Sequence, residues 1–423
     1  MNRLILFFGL IFYSLASLFS QPISLKVLPN PLPEPAIKNE LNFPGDNIGF
    51  FSLFEKLDSL VFKGIGEVNI VHIGGSHVQA GLLTDAIRFK LQTMSPGLTG
   101  ERGFFFPFAL AHTNSPNTYK TNAYPNINNW HGQRCSVPSH TGPWGVSGIR
   151  AWTTDSTSRV EIYSKDDPFG YRELRIFASP SDSSMVVRFL NSTDSSFYDS
   201  SINAFVGLFS IPQDTISFRL ASENIKQKYF SLEGVQVIRE TPGLRYHAIG
   251  ANGAATHSYL KCDRFGQQMA AINPDLILFG LGINDAYKSK GRFDSLAYEN
   301  NYDSLVGLIR QVNPKCAFIF LTNNDSYYKG KYNPHGEIVR RSMFRLAKKH
   351  KGSVHDLYNL MGGKNSVSFW IRKGWAKKDG IHMTRIGYGL QAYWLANAIE
   401  SAYLDIHESG MNEKPMFTDK FQL

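Results

Sequence analysis

Apolar residues fall along this chain in two distinct rhythms. From Val68 to Ile73 they are nearly continuous and β-branched (Val68, Ile70, Val71, Ile73), as in a strand buried on both faces. Gly74, Gly75, Ser76 and His77 follow, and then Leu83, Ile87 and Leu91 recur at helical spacing from Leu82 to Gln92. The stretch reads as strand, tight turn and helix, with a serine at the turn. An amphipathic helix precedes it, carried by Phe51, Phe54, Leu57, Leu60 and Val61. The same grammar returns after residue 243. Strands are expected at Leu244–Ile249, Asp275–Gly280, Cys316–Leu321 and near Val354–Leu357. Helical patterns run between them: to Ala271, around Tyr302 to Val312, from Glu337 to His350, and finally about Tyr388 to Tyr403. Strands alternating with helices predict a parallel sheet covered on both faces, a three-layer αβα arrangement.

The rhythm changes between these two parts. Residues from about Gly97 to Gly148 are rich in Gly, Pro, Asn, His and Trp. Residues 149–240 then show short alternating runs separated by turn residues, such as Arg159–Tyr163, Glu173–Phe177, Phe205–Phe209 and Thr215–Leu220. This predicts an all-β sandwich, too long for a loop and so inserted as a domain. The expected organisation is a discontinuous α/β domain at 49–99 and 244–407, the β-sandwich insertion at 100–243, and a C-terminal tail at 408–423.

The first residues change the compartment. Arg3, the apolar run Leu4–Leu18 and the small residues before Gln21 read as a secretory signal over 1–20, with cleavage after Ser20. The chain is therefore expected to be exported, periplasmic or secreted. The mature protein should have no membrane span, because later apolar runs are too short for one. Residues 21–48 carry six prolines and read as an extended leader, packed on the surface or partly mobile. Three cysteines, Cys135, Cys262 and Cys316, make no disulfide framework. They leave open one bridge or three buried thiols, and their spacing to His builds no zinc site.

A net charge of +9 permits attraction to polyanions. The densest basic run, Arg340 to Lys351, has Met343, Phe344 and Ala347 at helical spacing and reads as the solvated face of a helix. No nucleic-acid module accompanies it, so no nucleic-acid partner is expected. The chain has 6 Trp. Of these, Trp130, Trp144 and Trp152 suit either sugar stacking or core packing.

Four polar groups fall at the ends of successive strands or just after them: Ser76, the Gly250–Gly253 turn, Asn284 and the Asp379/His382 pair. A parallel sheet brings those loops to one edge. A serine at such a corner either caps its helix or presents its oxygen to a cleft. Read as a set, these residues suit acyl transfer. Ser76 is the nucleophile, His382 the base and Asp379 the carboxylate that orients the imidazole. The Ser76 N–H, the Gly253 N–H and the Asn284 amide are candidate oxyanion donors. Taken singly, Asn284 could bond within its own loop and Asp379 could cap a helix. His77 reads as a turn residue bonded to backbone, and His355–Asp356 as packed structure. Gly280-Leu-Gly282 lacks the third glycine of a dinucleotide loop.

Gly74-Gly-Ser76-His, Asn252-Gly253-Ala, Gly282-Ile-Asn284-Asp and Asp379-Gly-Ile-His382 resemble, in order, the four blocks of the SGNH (GDSL-type) hydrolases. The resemblance implies a flavodoxin-like order of the parallel sheet and the roles just given for Ser76, Gly253, Asn284, Asp379 and His382, with no cofactor and no metal. This chain departs from the pattern at Gly75, where the family carries Asp. The insertion and the Gly-Ser-His-Val-Gln-Ala-Gly form of the first block look like exported peptidoglycan or polysaccharide O-acetylesterases, in which the insert resembles a carbohydrate-binding module. An acetylated glycan substrate is what that likeness implies. Transfer to a sugar hydroxyl by the same site, or glycan binding without turnover, are the alternatives.

Overall fold

The computed structural model describes residues 22–410 apart from 165, 166, 179, 180, 182 and 192. The expected signal segment 1–20 and residues 411–423 of the tail lie outside the described residues.

Six strands form the central sheet: β1 (Leu41–Asn42), β2 (Glu67–Gly74), β3 (Gly243–Gly250), β4 (Leu276–Gly280), β5 (Ala317–Leu321) and β6 (Ser353–His355). Their order across the sheet is β1-β6-β5-β4-β2-β3. All neighbours from β6 to β3 are parallel, and only β1 is antiparallel. Numbered among themselves, the five parallel strands run 2-1-3-4-5, the flavodoxin-like order, with β2 between the two strands where the order reverses.

Side chains alternate across this sheet with period two. Val68, Ile70, Leu276, Leu278, Ala317 and Ile319 face one core. That core is filled by helices α1 (Phe51–Lys63), α3 (Leu82–Thr93) and α7 (Arg385–Gly410). Val71, Ile73, Ile277, Phe279, Phe318 and Phe320 face the other. There they meet α4 (Phe265–Ile272), α5 (Ser295–Val312) and α6 (Gly336–His350). Between β2 and α3 lies one helical turn, α2 (Ser76–Gln79).

Three helices differ from the expected bounds, and one of them, α7, runs to Gly410 rather than ending near Tyr403. The pattern read as one helix through Ala271 is broken into Thr256–Tyr259 and α4. Tyr259 turns its hydroxyl onto the Gly74 carbonyl at 2.8 Å, fixing the break against the end of β2. Helix α5 begins seven residues earlier than its apolar pattern suggests. Asp294 caps it there, accepting the Ala297 N–H at 2.9 Å.

The leader is also more ordered than its prolines indicate. β1 pairs with β6 and covers what would be an open sheet edge. Asn39 donates to the Trp394 carbonyl at 2.8 Å and pairs with His355 at 3.1 Å.

The β-rich segment holds two antiparallel sheets. Strands 195–199, 204–213, 171–178, 230–238, 149–153 and 130–134 make one, with 104–105 added against 230–238. Strands 120–124, 159–163, 215–221 and 186–189 make the other. Their inward residues, among them Val160, Ile162, Leu174, Ile176, Ile216 and Phe218, belong to the same continuous apolar cluster as Val71, Ile73 and Phe279. The insertion therefore shares its core with one face of the central sheet. Buried charges reinforce the junction. Arg102 donates to Asp85 at 2.6 Å and to Asp167 at 3.0 Å, and Arg88 also meets Asp167. Glu233 accepts from Arg264 and Gln268. All three cysteines are buried and free. Among the described residues no helix is long and apolar enough to cross a membrane.

The shared core predicts a single cooperative unfolding transition, observed together by far-UV and aromatic signals. Arg102→Met leaves two buried carboxylates short of their partner and should cost about 3–5 kcal/mol in urea unfolding.

Acid should also destabilise the protein. Burial pushes His72, His247 and His355 down to about 3 from the usual 6.5. His247 is held neutral between the Phe104 N–H at 2.9 Å and Asn69 Oδ1 at 3.2 Å. The unfolded chain takes up these protons near pH 6.5 and the folded chain does not until near 3. Their contribution is complete above 6.5 and lost as pH falls through that window. Each should cost about 1.4 kcal/mol per pH unit. His355→Asn should reduce the slope of urea-midpoint free energy against pH by about one proton.

Candidate active site

The site begins with three glycines. Gly250, Gly74 and Gly280 end β3, β2 and β4 and lie opposite one another in register. A Cβ on Gly74 would stand 2.4 Å from Val78 Cγ2, and one on Gly250 would stand 2.5 Å from the Gln79 nitrogen. Helix α2 can sit this close to the strand ends only because those positions carry no side chain. The loops after the three strands bear Ser76, Gly253 and Asn284.

Ser76 is the first residue of α2 and its side chain makes no cap bond. Its Oγ instead lies 2.9 Å from His382 Nε2. His382 Nδ1 is 2.8 Å from Asp379 Oδ2, and Asp379 Oδ1 accepts the N–H groups of Ile381 and His382. Partial burial pushes the Asp379 carboxyl up. The hydrogen bonds from the His382 ring and from those two N–H groups outweigh it, so the group is held below the usual carboxylate range. The 379–382 loop is pinned from outside: Tyr327 N–H donates to the Gly380 carbonyl at 2.8 Å and Asn324 to the Ile381 carbonyl at 3.2 Å. Hydroxyl, imidazole and carboxylate thus form one hydrogen-bonded row at the rim.

His77 does not bond backbone through its ring, as its position in the turn suggests. Its Nδ1 lies 3.0 Å from the Tyr388 hydroxyl, and its ring stacks on His382 with centroids 5.3 Å apart. Burial first, and then the His382 ring beside it, push His77 down to about 3. It is a neutral platform beneath the site histidine.

Asn284 bonds across loops rather than within its own. Its amide nitrogen donates to the Ala254 carbonyl at 2.8 Å, leaving one N–H of that group for another acceptor. The same nitrogen would lie 3.1 Å from a Cβ at position 75, so Asn284 stands directly beside the residue before Ser76. The turn at Gly75 is held by the Tyr259 hydroxyl on the Gly74 carbonyl and by the Gln79 N–H on the Gly75 carbonyl. Gly253 has φ +78°, a conformation that favours glycine.

Gln79 carries a function that the sequence did not reveal, although it stands within the first block. Fully buried, its Oε1 accepts the Asn252 N–H at 2.7 Å. Its Nε2 donates to Thr113 Oγ1 at 3.1 Å and to the Asn114 carbonyl at 2.8 Å. Ser136 donates to the Asn252 carbonyl at 2.7 Å. The Ser76 helix, the Gly253 loop and the β-rich segment are thereby joined through one amide. Periodicity gives no signal for such a residue, since its partners are distant in sequence.

Of the three tryptophans, Trp130 and Trp144 are buried. Only Trp152 is partly exposed, stacked on His131 at 4.6 Å. His355 and Asp356 are satisfied structurally, Asp356 by Arg340 at 2.8 Å.

A serine so arranged should react with a fluorophosphonate probe. Labelling should vanish in Ser76→Ala and slow by about 10²–10⁴-fold in His382→Ala, read by gel fluorescence.

Residues 232–390 match the model of the GDSL-like lipase/acylhydrolase family. No curated protein matches the sequence. A solved structure of a peptidoglycan O-acetylesterase is similar at TM-score 0.68 and 22% identity, covering 86% of this chain and 99% of that one. A GDSL-like lipase from Bacteroides thetaiotaomicron (TM-score 0.30, 21% identity) covers 37% of this chain and 76% of its own. An acetyl xylan esterase (TM-score 0.30, 16% identity) covers 37% and 81%. The chain is thus similar to the GDSL-like lipase/acylhydrolase family over residues 232–390, and its fold over most of its length is that of the solved peptidoglycan O-acetylesterase structure.

Proposed function

We propose that this protein is an exported serine esterase that removes O-acetyl groups from a cell-wall or other glycan. The observation that carries the reading is the row Ser76–His382–Asp379, with 2.9 Å and 2.8 Å links. Ser76 Oγ attacks the ester carbonyl while His382 Nε2 takes its proton. The Asp379 carboxylate, kept ionised by its hydrogen bonds, holds the tautomer and stabilises the imidazolium. Negative charge on the carbonyl oxygen is met by the Ser76 N–H, the Gly253 N–H and the second N–H of the Asn284 amide. Collapse of the intermediate expels the sugar oxygen, which takes the proton from His382. Water then attacks the acetyl-serine by the same route in reverse, giving acetate and free Ser76.

Neutral His77 suits this cycle, because a second positive ring stacked on His382 would oppose formation of the imidazolium. The glycan substrate is supported by the likeness to a peptidoglycan O-acetylesterase, which extends over the β-rich segment as well as the sheet. Export is supported by the pattern of residues 1–20.

The test is acetate release from O-acetylated peptidoglycan and turnover of p-nitrophenyl acetate. Ser76→Ala should lower kcat by about 10⁴-fold or more, and Asp379→Asn by about 10⁴-fold. Equal rates for wild type and Ser76→Ala would exclude Ser76 as nucleophile. Mature protein recovered outside the cytoplasm should begin at Gln21.

A further inference from the structure

A cleft of about 360 Å³ opens in the β-rich segment between residues 111–113 and the strand 130–134. We propose that it is a subsite for a carboxylate-bearing sugar residue of the acetylated glycan, with Arg134 as the group that receives the carboxylate. The proposal deepens the esterase reading and rests on it for the identity of the glycan.

Four observations point this way. The first is position. Thr113 lines the cleft and is also the hydroxyl bonded by Gln79 and, at 3.4 Å, by Asn252. Ser136, two residues beyond Arg134, holds the Asn252 carbonyl and would be 3.6 Å from a Cβ on Gly253. The cleft wall and the oxyanion loop are therefore parts of one hydrogen-bonded unit.

The second is charge. Arg134, His112, His131 and His140 line the cleft, and no carboxylate does. Most arginines in the β-rich segment have an acidic or carbonyl partner, as with Arg159, Arg175, Arg188 and Arg239. The half-buried guanidinium of Arg134 has no such partner among the described residues. A planar cation with unused donors in a concave site matches the bidentate geometry of a carboxylate.

The third is donor direction. His140 Nδ1 accepts the Arg134 backbone N–H at 3.0 Å, so its own proton sits on Nε2 as a second donor. The fourth is rigidity. A Cβ on Gly132 would stand 2.0 Å from the Ala111 carbonyl, so the strand and the facing segment are in direct backbone contact at the cleft floor. A preorganised site loses little on binding. The volume is in the range of small-ligand sites.

Two sources supply such a group: the lactyl ether carboxylate of a muramic residue and the C6 carboxylate of a uronic acid. Titration calorimetry with intact Ser76→Ala separates them, using a muramic-acid disaccharide, a uronic-acid disaccharide and neutral xylobiose. One acidic sugar should bind about 10-fold or more tighter than xylobiose. Arg134→Gln should remove that preference, and Arg134→Lys should retain part of it. The two variants can be compared for fold by circular dichroism. Equal binding of all three sugars, or a preference that survives in Arg134→Gln, would overturn the proposal. The esterase reading is judged separately, by acetate release from wild type, and its failure would leave the carboxylate preference readable in the binding arm.

Discussion

Everything at the site depends on how closely one helical turn approaches two strand ends. Gly74, Gly250 and Gly280 lie level in the sheet, and a side chain on Gly74 or Gly250 would strike α2. Asn284 stands beside Gly75 and bonds the Ala254 carbonyl, so the loops after β2, β3 and β4 meet there. The sheet supplies the rest of the rigidity. Its strands are buried on both faces, so a shift in any of them would disturb two cores at once.

The imidazole and carboxylate come from the far end of the chain, in a loop that no strand of the sheet directly follows. That loop holds its place by local bonds, with Asp379 gripping its own backbone, and by external ties to Tyr327 and Asn324. Its exposure leaves the row Ser76–His382–Asp379 at the rim, with the His382 side chain 33% accessible. A large glycan can reach such a site, and nothing in the arrangement demands a small buried substrate.

The β-rich segment is part of this machinery. Its core is continuous with the sheet face, and Gln79, Thr113 and Ser136 join it to the loop that carries Gly253. Gln79 and Ser136 each bond the Asn252 backbone, so the insertion and the Gly253 loop are one residue apart.

Strands β2 to β6 and most helices were readable from periodicity, because burial on two faces imposes continuous apolar runs and burial on one imposes helical spacing. Ser76, Asp379 and His382 were read together because a hydroxyl, an imidazole and a carboxylate suit one chemistry, and the fold brings them within hydrogen-bond distance although only Ser76 lies at a strand end. Other features were decided only in three dimensions. The early start of α5 hung on the cap at Asp294, a local bond that apolar spacing does not register. The strand at Leu41–Asn42 exists because the edge of β6 was available to pair. Gln79, the His77 platform, the unpartnered Arg134 and the ion pairs around Arg102 all join residues far apart along the chain. A sequence determines which side chains can bury and which can react. Which polar groups meet is settled by packing, since a buried donor must take whatever acceptor the fold brings within reach.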